Sequence, residues 1–116
     1  MTDNQASRET LDFVGKVAEL NRQLADVFNS GNVEIFTQMN GTIKEIYALQ
    51  HGSEDYILQS VDEDCAVIYG NFDMIIAVLR TTENGEIDRG AQKAIDKLLR
   101  NIHKATVNIA GAFGLI

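Results

Sequence analysis

Apolar residues recur along this chain in two different ways. Between residues 7 and 29, Phe13, Val17, Leu20, Leu24 and Val27 follow one another at spacings of 4, 3, 4 and 3, with Glu9, Asp12, Lys16, Glu19 and Arg22 filling other faces. That period predicts a helix with one apolar stripe. Ser7 can cap its start, and Asn29-Ser30-Gly31-Asn32 supplies the residues that tolerate a left-handed C-cap. From about 87 to 110, Ala91, Ile95, Leu98, Ile102, Ala105 and Ile109 repeat at 4, 3, 4, 3 and 4, the strongest periodicity in the chain. Asp88 stands where an N-cap carboxylate is favoured by the helix dipole.

The middle of the chain, 33–80, supports two readings. The helical one finds Leu58, Val61, Cys65, Ile68, Phe72, Ile75 and Leu79 at spacings of 3 and 4, which makes the whole protein an all-α four-helix bundle. The other starts from the turn signals Asn40-Gly41, His51-Gly52-Ser53, Asp62-Glu63-Asp64, Gly70-Asn71 and Asn84-Gly85. Their regular recurrence suits short strands. Asn-Gly favours a type I′ hairpin, and the intervening segments are rich in β-branched and aromatic residues. Cys65–Tyr69 and Met74–Leu79 are apolar at nearly every position, as in strands buried on both faces. A helix through Gly70-Asn71 loses roughly 1 kcal/mol against better helix formers.

The expected fold is therefore α+β: an N-terminal helix, a five-stranded antiparallel meander near 33–39, 42–49, 56–61, 65–70 and 73–80, and a long C-terminal helix, in one domain over 1–116. The four-helix bundle is the alternative. Two helices on one face of such a sheet leave the other face to a second copy or a partner, so a homodimer is expected.

Tyr56-Ile57-Leu58-Gln59-Ser60-Val61, Cys65-Ala66-Val67-Ile68-Tyr69-Gly70 and Met74-Ile75-Ile76-Ala77-Val78-Leu79, then a polar loop and a long helix, resemble the C-terminal half of a roadblock (dynein light chain) domain over about residues 55–104. The N-terminal half departs from that family, which places a strand hairpin before its first helix. A profilin-like or related α+β sandwich is equally compatible. The roadblock resemblance implies a non-catalytic homodimer that scaffolds or regulates a small Ras-like GTPase.

Charge adds a polarity to this picture. Residues 1–85 carry 14 acids and 5 bases, whereas 86–116 carry 3 acids and 5 bases, within a net charge of -7. An acidic chain is a poor ligand for nucleic-acid phosphates. All five C-terminal bases, Arg89, Lys93, Lys97, Arg100 and Lys104, lie opposite the apolar stripe of the last helix. They are the candidate partner-binding residues, an electrostatic face for an acidic protein or for the acidic body of a second copy. A solvated helix face is the plainer explanation of the same row.

Catalytic chemistry has little support. Cys65, the sole cysteine, falls in an apolar run, where a thiol is inert; a lone thiol also points to a reducing compartment. His103, next to Lys104, resembles a phosphotransfer histidine, but Ala105-Thr106-Val107 stands where that family has Lys-Gly. His51 reads as a turn residue, and Asp62-Glu63-Asp64 as a solvated turn without the spacing of a calcium loop. Neither a phosphate-cradling glycine motif nor a histidine-carboxylate metal spacing occurs, so neither cofactor nor metal is expected. The N-terminus has no basic and apolar signal pattern, and the longest uncharged run, Ala105–Ile116, is shorter than a membrane span. The expectation is a cytoplasmic, non-enzymatic homodimeric interaction module, with an all-helical secretion-type chaperone or adaptor that binds a partner helix as the alternative.

Overall fold

The computed structural model describes residues 8–30, 34–52, 56–81 and 88–113. Of the described residues 93% are helical and none lies in a strand. In chain order the helices are α1 (Arg8–Ser30), α2 (Ile35–Gly52), the single turn α3 (Tyr56–Gln59), α4 (Asp62–Arg80) and α5 (Arg89–Ala112). The expected α+β fold is thus overturned, and the all-α four-helix alternative is the architecture found.

The terminal helices form where their periodicity places them, and Asp88 caps α5 by accepting a 2.7 Å hydrogen bond from the Ala91 N–H. Residues 31–33 and Ser7 lie outside the described residues. Among the described residues, the signals read as hairpin turns have other local roles. Asn40-Gly41 sits inside α2, where the Thr42 hydroxyl donates back to the Gln38 carbonyl. Gly52 is the last residue of α2. Asp62, Glu63 and Asp64 make the first turn of α4, where carboxylates meet the positive end of the helix dipole. Gly70-Asn71 is spanned by α4 without interruption: Asn71 donates to the Val67 carbonyl at 2.7 Å and accepts from the Asn101 amide at 3.0 Å. Tertiary hydrogen bonding retains Asn71 in a helix that its propensity disfavours. Asn84-Gly85 lies outside the described residues.

The four long helices run up and down, each packed on its sequence neighbour, with α5 returning to α1. The pairs α1–α2 and α4–α5 pack most intimately. The core is one apolar cluster in which Phe13, Leu20, Leu24, Met39, Ile46, Ile68, Ile75, Ile95, Leu99 and Ile102 are fully buried.

Polar contacts fix the register of each seam. Lys16 of α1 pairs with Glu45 of α2. Gln50 of α2 donates to Asp62 at 2.8 Å and accepts from the Tyr69 hydroxyl at 2.7 Å, while Tyr47 meets the Tyr69 ring edge-on. Asn101 and Asn108 of α5 donate to Asn71 and Asp64 of α4. Thr106 of α5 donates to Asn21 of α1 at 2.6 Å. Apolar burial supplies most of the stability, and these bonds select one arrangement of the four stripes.

Side chains on opposite faces of α4 have unequal structural weight. Ile68→Ala, which opens a cavity at a fully buried site, is expected to lower unfolding free energy in urea by about 2–5 kcal/mol. Val67→Ala, one residue away on the exposed side, is expected to cost less than about 1 kcal/mol.

Candidate protein-docking face

The five candidate bases all lie exposed on α5. At 3.6 residues per turn they occupy an arc of roughly 80° and a ridge about 22 Å long, directly opposite the buried stripe. The structure divides them by neighbour. Lys104 lies in the seam with α4, in a cleft it shares with Asp64, Val67, Asn71 and Asn101. Arg100 turns to the other seam, lining a cleft with His103 and with Asn21, Ala25 and Phe28 of α1. The row is one ridge with two different flanks.

The outward face of α4 was not among the expected sites. Val67, Gly70, Met74 and Ala77 recur at spacings of 3, 4 and 3. They form a second apolar stripe, about 160° around the helix from the buried one. All four are exposed, Val67 by 40% and Met74 by 57%. Inside the bundle Gly70 serves no steric purpose, since a Cβ added there meets nothing within 4 Å. An apolar stripe of this kind is ordinarily buried, yet this one is open. The signal was legible in the second 3-4-3 spacing. It was hidden because two opposed stripes on one helix add up to the apolar runs Cys65–Tyr69 and Met74–Leu79, which is also what central strands look like.

A second depression, an open groove of about 620 Å³, runs along the outside of α1 and α2. Leu11, Gly15, Ala48 and Leu49 give it small and apolar walls, and Lys16, Glu19 and Glu45 cross it. The carboxylate of Glu45, hydrogen-bonded to Lys16, holds the ammonium above its usual range. Salt bridges therefore already join Lys16, Glu19 and Glu45 of this groove.

Cys65 is fully buried on the inner face of α4, as its apolar neighbours imply. Burial pushes its thiol up to about 12, against a hydrogen bond with Tyr69 that pulls it down, while Asp62 and Asp64 add to the rise. Tyr69 is likewise pushed up, first by burial and then by Cys65. His51 stacks on Tyr47 at 4.1 Å between ring centroids, at the end of α2. His103 is exposed on α5. Among the described residues no group of three or more His, Cys, Asp or Glu is placed to hold a metal ion, and no helix is long and apolar enough to cross a membrane. Compared with family models, curated proteins and solved structures, the chain matches none of them.

The buried thiol has a signature in solution. Because its folded value of about 12 lies above the ordinary 9.0, the native state keeps a proton that the unfolded chain releases. This contribution is complete below pH 9 and is lost as the pH rises toward 12, at up to about 1.4 kcal/mol per pH unit. Urea titrations from pH 8 to 10 are expected to show the onset of that decline, and Cys65→Val is expected to remove the thiol's share while leaving the share of the same sign that the raised Tyr69 contributes. At pH 8 the native thiol is expected to resist Ellman's reagent until urea unfolds the chain.

Proposed function

We propose that the protein is a non-enzymatic, all-helical adaptor that binds a partner helix along the outward face of α4. The observation that carries this reading is the second apolar stripe of α4, with Val67 and Met74 exposed on either side of Gly70. A helix bearing its own apolar residues at 3-4 spacing fits such a seam, and a glycine at its centre lets the two backbones approach closely. Charge complements the apolar contact. Lys104 stands in the adjoining seam with α5, so an acidic flank on the partner helix meets a base there. In this reading the α5 ridge orients the partner and the α4 stripe supplies the affinity.

The buried, unreactive Cys65 is the reason for setting catalysis aside, because it is the one side chain with nucleophilic potential in the run that forms the site. A free thiol in the core also suits a reducing compartment, and we place the adaptor in the cytoplasm on that ground.

A photo-crosslinking amino acid at Met74 tests this directly. Adducts formed in the source cell are expected to map by mass spectrometry to a helix with apolar 3-4 spacing, and to fall by about tenfold when Val67→Glu is added. The same probe at the exposed Lys44 of α2 serves as the control. Equal yields from the two positions, or none from Met74, contradict the proposal.

A further inference from the structure

The outward face of α4 and its flanks are arranged so that a second copy of the same face complements them. In the first turn of α4, Glu63 is exposed on the outward side while Asp62 and Asp64 turn into the seams, bonded to Gln50 and Asn108, and Arg80 closes the helix. The bonds Asn108–Asp64 and Asn101–Asn71 set an antiparallel register between α5 and α4. Continued toward the other end, that register brings Ala94 beside Val78 and so sets Lys93 and Lys97 at the end of α4 that carries Arg80. The outward stripe therefore has Glu63 exposed at one end, with Lys104 in the seam nearby, and Lys93 and Lys97 flanking its other end.

A surface of this kind is self-complementary under a two-fold rotation. With the axis between Gly70 and Asn71, two α4 helices run antiparallel. Val67 of each copy then meets Met74 of the other, and Glu63 of each lies against Val78 of the other, within reach of Lys97. The net charge of -7 opposes any random encounter between copies, but this pairing sets the exposed Glu63 of each copy toward the exposed Lys97 of the other, an attraction. Gly70 falls at the closest point of the crossing. Its missing side chain lets the two backbones approach there, and no neighbour in the monomer fills the space.

We propose that the helix received by α4 is α4 of a second copy, paired antiparallel about a two-fold axis at Gly70. This rests on the docking face proposed above and names its occupant. A single-helix seam places the dimer among the smaller, reversible interfaces.

Sedimentation velocity of the full chain over a wide concentration range tests it. The native protein is expected to pass reversibly from monomer to dimer. Met74→Glu, at an exposed site, is expected to keep its helical circular dichroism and weaken the dimer by about tenfold or more. Glu63→Lys is expected to weaken it less, and adding Lys97→Glu to restore most of that loss. A chain that stays monomeric at every concentration overturns the proposal, as does a dimer indifferent to Met74→Glu. If the chain is monomeric yet Met74 still crosslinks to a different helix, the docking face stands and only the occupant proposed here is wrong.

Discussion

The seam between α4 and α5 is the constraint on which the bundle depends. Val61, Cys65, Ile68, Phe72 and Ile75 are buried on one side of it, and Ile95, Leu98, Leu99, Ile102, Ala105 and Ile109 on the other. The hydrogen bonds from Asn101 to the Asn71 amide and from Asn108 to the Asp64 carboxylate leave one register for this packing. Once that register is set, the remaining faces of both helices have no freedom. The outer stripe of α4 must point outward, the bases of α5 must form a ridge, and Lys104 must lie in the seam beside Val67. The candidate docking face follows from the core.

The same seam explains the chemistry of Cys65. Its place on the inner stripe takes the thiol out of water, and Tyr69, itself bonded to Gln50, stands beside it. Gln50 also donates to Asp62, so this polar cluster ties α2 to the start of α4 and leaves the inner face without a reactive thiol. What remains available to a partner is apolar surface and charge, the materials of recognition.

Much of this was legible in the sequence, and the failure has a definite cause. α1 and α5 were readable because each carries one apolar stripe against a polar remainder. The Asp88 cap and the burial of Cys65 followed from local chemistry. α4 was misread because its two stripes, superposed, erase the polar face by which an amphipathic helix is recognised. Asn40-Gly41 and Gly70-Asn71 were misread because turn propensity is a weak local preference, overridden here by burial of Met39, Ile43, Ile68 and Phe72. The basic row was visible as residues, but its division between two seams was not, since that depends on which neighbour flanks each side of α5. The apolar excess in 65–79 that suggested a sheet with an uncovered face belongs instead to a helix with an uncovered face.

In the proposed reading α4 is one continuous helix whose inner stripe is closed in the core and whose outer stripe pairs with a second copy. Assigned NMR spectra recorded on dilution test it most directly, with ¹³Cα shifts reporting the backbone and amide shifts the contacts. Helical shifts are expected without a break from residue 62 to 80. Dilution-dependent amides are expected at Val67, Gly70, Met74 and Ala77, with Cys65, Ile68 and Phe72 unmoved. Strand-type shifts across 65–70 or 73–80, or an outer stripe as indifferent to dilution as the inner one, contradict it.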